Sequence, residues 1–203
     1  MLVFQYFARL NLFVYGVRMA LLAILLFVTP LFAAEDGDAF RVQGADFSLD
    51  ETLLKLNSKI DIKLPPYISI AIEQGFAVPL MFELEILSPV KYWPDRKFVS
   101  LKQQYQLHFL PMLGSYVIFD LNAGQRHYFD NLNEAVDYMR VVNNYPMLDI
   151  NNISDERNYY ARLRFGIDSD ELPLPLKSSS LWDNDWDLKS DWYVWDIEKS
   201  RYE

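Results

Sequence analysis

Carboxylates and two histidines are the residues best placed to do chemistry in this chain of 203 residues, and their spacing limits what they can do. The run Asp183-Asn184-Asp185-Trp186-Asp187 spaces its oxygen donors as the opening of an EF-hand loop does. Leu188 then stands where the tight turn needs glycine, and Val194 where a bidentate glutamate would close the calcium shell, so the run reads as a solvated acidic loop. Glu83 and Glu85 sit two apart, a spacing that puts both carboxylates on one strand face and can pair an acid with a base. Their surroundings predict an outward, solvated ladder instead. His108 and His127 fall on different predicted strands with no carboxylate at ligand spacing, so both read as surface strand residues. Convergence of Glu83, Asp95 and a histidine in one cleft would be the arrangement to expect of an enzyme. No Gly-x-Ser-x-Gly elbow, phosphate loop or His-Glu-x-x-His helix occurs. With no cysteine, thiol chemistry, thiolate metal sites and disulfides are excluded. The expectation is a non-enzyme, with no catalytic, cofactor-binding or metal-binding residues.

Large aromatic rings are the remaining candidates. Four of the five tryptophans, Trp182, Trp186, Trp192 and Trp195, lie near the C-terminus among Asp183, Asp185, Asp187, Asp191 and Asp196. With Tyr193 they form a candidate interaction surface, because aromatics of this kind dominate interface hot spots. Burial is the competing use: on a final strand, Trp192 and Val194 alternate with Tyr193 and Trp195, so one pair would enter the core and the other remain partly exposed.

The elements that must position these residues read mostly with period two. Leu54, Leu56, Ile60, Ile62 and Leu64 alternate with Lys55, Asn57, Lys59, Asp61 and Lys63. The same alternation recurs over residues 78–86, 99–109 and 159–167, the mark of half-buried antiparallel strands. Residues 116–121 and 126–129 predict a hairpin around Asn122-Ala123-Gly124. Two helices interrupt the strands. Pro65-Pro66 opens one and Gly75 closes it, with Tyr67, Ile68, Ala71 and Ile72 as its apolar stripe. The other starts at Asn131, with Glu134 completing a capping box, buries Leu132, Ala135, Val136, Met139 and Val142, and ends at Asn143-Asn144. Hairpin-linked strands with two short helices predict a mainly β fold, an antiparallel β-sandwich of immunoglobulin-like or related type. Leu172-Pro173-Leu174-Pro175-Leu176 is excluded from a central strand and favours polyproline geometry, beginning a Trp-rich segment over 168–203.

Residues 1–34 contain only Arg9 and Arg18 as charges, and Met19 to Ala34 is apolar apart from Thr29. Pro30, Ala33 and Ala34 followed by Glu35-Asp36-Gly37-Asp38 complete the order of an export signal. Leu31 or Phe32 occupies a position where a cleavage site prefers a small side chain, and residues 10–34 could instead stay as an N-terminal membrane anchor. The two expectations are a soluble periplasmic domain after cleavage, or one tethered to the inner membrane. Residues 35–203 fit a single domain. Without the leader, 19 Lys+Arg against 28 Asp+Glu become 17 against 28, a charge of −11 that makes nucleic acid an improbable partner.

The Leu-Pro-Leu-Pro-Leu stretch at 172–176, followed by Trp186-Asp187-Leu188-Lys189-Ser190-Asp191-Trp192-Tyr193-Val194-Trp195, resembles a bacterial envelope family, domain of unknown function 4390, from about Phe40 to the C-terminus. The resemblance implies an exported protein of Gram-negative bacteria, often encoded beside a membrane sensor kinase, and carries over no catalytic residues. Together these readings predict a non-catalytic module that contacts an envelope or inner-membrane protein through an edge strand or the aromatic C-terminal segment, accessory to a membrane sensor or to envelope maintenance. The alternative is a periplasmic carrier of a lipid or other apolar ligand, which needs a cavity of a few hundred Å³.

Overall fold

Alternating apolar residues shape the fold. Leu54, Leu56, Ile60 and Ile62 are all buried, and Lys55, Lys59 and Asp61 point away from them. The structure is a computed structural model that describes residues 38–154, 157–180 and 186–198. The leader, Trp182 and the run Asp183-Asn184-Asp185 lie outside the described residues. Among the described residues no helix is long and apolar enough to cross a membrane.

Among the described residues, nine strands form two antiparallel sheets. The smaller one pairs β1 (Phe40–Asp50), β2 (Leu53–Ile62) and β7 (Val141–Asp149), in the order β1-β2-β7. The larger contains β3 (Val78–Ser88), β4 (Arg96–Leu110), β5 (Ser115–Asp120), β6 (Gln125–Phe129), β8 (Tyr159–Ile167) and β9 (Tyr193–Ile197), in the order β6-β5-β4-β3-β8-β9. Inner faces meet in one apolar core, with Phe82, Leu84, Leu163 and Phe165 of the larger sheet against Phe40, Leu54 and Leu56 of the smaller. This is the expected sandwich.

Helix α1 (Pro66–Glu73) buries Ile68, Ala71 and Ile72. Gly75 ends it with φ of 87°, donating to the Ile72 carbonyl while Phe76 donates to that of Ala71, so the left-handed residue closes the last turn as predicted. Helix α2 (Leu132–Met139) begins with the predicted cap: Asn131 Oδ1 accepts from the Glu134 amide at 3.0 Å, and Glu134 Oε2 accepts from the Asp130 amide at 3.3 Å. It ends at Met139 rather than at Asn143. Val142 belongs to β7, where Asn144 takes φ of 51° and its amide donates to Asn57 Oδ1. A third helix, α3 (Leu174–Ser180), replaces most of the predicted polyproline stretch. Leu172 is extended, and Pro175 falls in the first turn of α3, where its missing amide hydrogen leaves no bond unmade.

Strands β1 and β7 escape a period-two reading for a physical reason. A register shift between Val42 and Gly44 flips the buried side, so Phe40 and Val42 share parity but Phe47 does not. Two further shifts and Pro146 break the alternation of β7 against β2.

Candidate functional site

Strand β8 organises the C-terminal flank. Its odd positions Ala161, Leu163 and Phe165 enter the core, and its even positions Arg162 and Arg164 face outward. Antiparallel register sets Arg164 opposite Glu83 and Arg162 opposite Glu85. Arg164 bonds Glu83, while Glu85 is bracketed by Arg162 and Lys97. The solvated ladder expected for these two acids is therefore corrected. Glu85 is 7% exposed, because β4 and β8 flank β3 on both sides, and both carboxylates are engaged by cations rather than by one another. Burial pushes the Glu85 carboxyl up, but hydrogen bonds from Lys97 and Arg162 outweigh it and hold the group below its ordinary value. A carboxylate fixed in that way is an anchor for arginine, poorly suited to shuttling protons.

Trp192 covers this ladder, with the Arg162 and Arg164 guanidiniums each 4.4 Å from its ring centre. Its neighbours turn the other way. Tyr193 and Trp195 face inward, Trp195 lying 5.3 Å from the Phe47 ring and 5.9 Å from Tyr193, whereas Val194 is 55% exposed. Trp186 is buried against Tyr67, ring centres 5.5 Å apart. Thus Trp192, Tyr193 and Trp195 share one flank on two faces of the sheet, and Trp186 packs separately into the core beside α1. Asp187 accepts from Lys189 at 2.7 Å and from Ser169 at 3.2 Å. The Lys189 hydrogen bond in particular holds the Asp187 carboxyl below its usual range.

Beyond β9 the free edge of β8 is closed by the stretch Leu188–Ser190. Ile167 donates to the Leu188 carbonyl and Ser190 donates to that of Phe165, each at 2.8 Å, while Ser190 Oγ accepts from the Phe165 amide at 3.1 Å. Gly166 makes this approach feasible, since a methyl group there would lie 2.7 Å from Lys189 Cα and collide with the Leu188 carbonyl. The isolated glycine within the 159–167 alternation is the sequence signal for this contact.

Between the two sheets, beside α2, lies an open cleft of about 460 Å³. Ile60, Phe82, Met139, Val142 and Phe165 form its apolar walls, and Tyr105, Tyr138, Tyr145 and Asp120 supply the polar groups. Tyr145 donates to Gln103 Oε1 at 2.9 Å, and Gln103 Nε2 donates to Asp120 Oδ1 at 2.7 Å. Burial, followed by the Asp120 charge, pushes all three phenols above their ordinary value, so at neutral pH they remain protonated. His127 Nε2 lies 3.1 Å from the Tyr138 hydroxyl, whereas His108 stands on β4 opposite Val117 of β5, and burial and then Arg126 push its pKa down. Asp95 is bonded to Tyr160 near the β3–β4 tip, so Glu83, Asp95 and the histidines do not converge. Among the described residues no three His, Asp or Glu side chains gather at metal-binding distance.

No curated protein and no solved structure matches this chain. The family described as domain of unknown function (DUF4390) matches residues 37–196, from just before β1 to the penultimate residue of β9. That span takes in both sheets, the cleft and the Trp192 flank, and the chain belongs to the DUF4390 family.

Proposed function

We propose that this domain is a non-catalytic binding module of the bacterial envelope that captures an envelope or inner-membrane protein by adding a strand of the partner to β9. The observation that carries this reading is the position of β9. Among the described residues it is the last strand of the larger sheet and pairs only with β8, which leaves its other edge without a described partner along Tyr193–Ile197. Strand addition needs main-chain groups and shallow pockets for alternate side chains, with no reactive residue. Exposed Val194 faces one side of that edge, and the half-buried Tyr193 and Trp195 face the other. The family resemblance supports a role beside a membrane sensor or in envelope maintenance. A photo-crosslinking residue at Val194 should capture one reproducible protein in intact cells, and the same residue at Tyr128 on the opposite edge strand β6 should not. Equal recovery from both positions, or none from Val194, would sink the reading.

The cleft favours a second reading, carriage of a lipid or other apolar ligand. Its volume of about 460 Å³ is in the range of small-molecule sites, and Tyr105, Tyr138 and Asp120 place polar groups on its wall that a polar head could meet. Protein purified without detergent should then release a stoichiometric apolar compound on extraction, and Val142→Trp, which fills the cleft, should abolish that recovery. An empty extract counts against the carrier and leaves the β9 reading standing.

A further inference from the structure

The β3–β4 hairpin ends in a tip unlike the rest of the surface. Tyr92 is 89% and Trp93 76% exposed, and Val90 and Phe98 are also open to solvent. Their display is built in. Asp95 accepts from the Tyr160 hydroxyl and from the Val90 amide, and the Trp93 amide donates to the Val90 carbonyl. Tyr92 has φ of 68°, a left-handed conformation that is rare for a bulky side chain and is retained where the surroundings dictate it. The Tyr92 and Trp93 rings are held outward in this way, whereas Phe98 leans on buried Tyr159, ring centres 5.4 Å apart.

Charge at the tip runs against the molecule. The chain carries −9 overall, yet within residues 89–98 of the tip Lys91, Arg96 and Lys97 stand against Asp95 as the one acid. Lys97 is engaged by Glu85, and Lys91 lies 5.1 Å above the Tyr92 ring. Arg96 and Arg157 line a common hollow of about 400 Å³ with Ser88, Pro89, Val90 and Asn158, and among the described residues neither arginine has a carboxylate partner. Tyrosine and tryptophan prefer the membrane interface, where ring and polar edge are both satisfied, and adjacent arginines match lipid phosphates.

The geometry points to the β3–β4 tip as a membrane-contact site, with Tyr92 and Trp93 seated in the interface of an anionic bilayer and Arg96 and Arg157 on its phosphates. Contact is local and electrostatically assisted, because the rest of so acidic a chain is repelled by the same surface. It uses neither the β9 edge nor the cleft.

Depth-dependent quenching tests it. Full-length protein is mixed with vesicles carrying doxyl-labelled lipid, composed either of phosphatidylcholine alone or of phosphatidylcholine with phosphatidylglycerol. The emission that Trp93→Phe removes isolates the tip from the other tryptophans, and from any binding by the apolar N-terminal residues, which every variant retains. Trp93 emission should be quenched on the anionic vesicles. Quenching should be about fivefold or more weaker on the neutral ones, and weaker by a similar factor when Arg96→Glu and Arg157→Glu are combined. Unfolding curves matching the parent keep that comparison valid, both arginines being exposed. Absence of Trp93 quenching on anionic vesicles, equal quenching on both lipids, or indifference to charge reversal would each overturn the assignment, the first pointing to a protein as the occupant of the tip.

Discussion

Gly166 is the residue whose loss is felt furthest from itself. Any side chain there meets the backbone of Leu188 and Lys189, which cannot swing away as a flexible side chain does. Gly166→Ala should therefore destabilise the domain by about 1–3 kcal/mol in urea titration, the usual range for overpacking, and render the C-terminal stretch sensitive to protease. Glu85 makes a different prediction, one of pH. Its folded pKa is lowered, so the unfolded chain takes up the proton first as pH falls. The stabilisation it provides is complete at neutral pH and declines from the ordinary glutamate range downward. Glu85→Gln should be less stable than the parent at pH 7 by about 1–3 kcal/mol, as for other buried charged hydrogen bonds. The two stabilities should converge as the solution is acidified. A gap that stayed constant with pH would mean that packing, and not charge, is what Glu85 contributes.

At the scale of elements, the flank formed by β8, β9 and the Leu188–Ser190 stretch is held from both faces. Trp192 clamps it from outside through two guanidiniums, and Trp195 with Phe47 clamps it from inside. Trp192→Ala should cost about 1–2 kcal/mol, as expected for a partly desolvated cation–π contact, and should increase hydrogen exchange in β9 ahead of the other strands. Strands β4 and β5 are separated from β9 by β8 and β3, so exchange there should stay as it was. Much of this architecture is legible in the sequence, because β2, β4 and β8 alternate over most of their length and β3 sets Leu80, Phe82, Leu84 and Ile86 on one face, although Met81 and Leu87 are buried on its other. Helix limits were legible where a cap carries them, at Gly75 and Asn131. What escaped has identifiable causes. A bulge inverts parity within β1, Pro146 and two shifts disguise β7, and a proline that suits a first helical turn reads equally well as polyproline. The candidate site was legible as a list of aromatic residues but not as an arrangement. Nothing in the spacing of Trp192 says that it will lie on Arg162 and Arg164, since their contact depends on how the chain turns at Ser190 and Asp191.

Across the whole molecule, three features that can bind lie apart: the β9 edge, the cleft beside α2, and the Tyr92–Trp93 tip. Each is supported by a different part of the sandwich. Each sheet contains pairings distant in sequence, such as Leu53 with Asp149 in the smaller and Leu80 with Ile167 in the larger, so the chain must be nearly complete before its core can close, and folding should be slow for its size. The last described segment is residues 186–198, and among the described residues what it contributes to the sheet is received by one strand: β9 against residues 159–163, and Leu188–Ser190 against residues 165–167. In effect the domain is a receptor already occupied by its own tail. A chain ending at residue 185 should expose the β8 edge and aggregate. Added in trans, a synthetic peptide of residues 186–198 should restore cooperative unfolding, and one of scrambled order should not. The affinity of that peptide would set a scale for competitors, since any outside strand that displaced the tail from β8 would have to bind more tightly than it does.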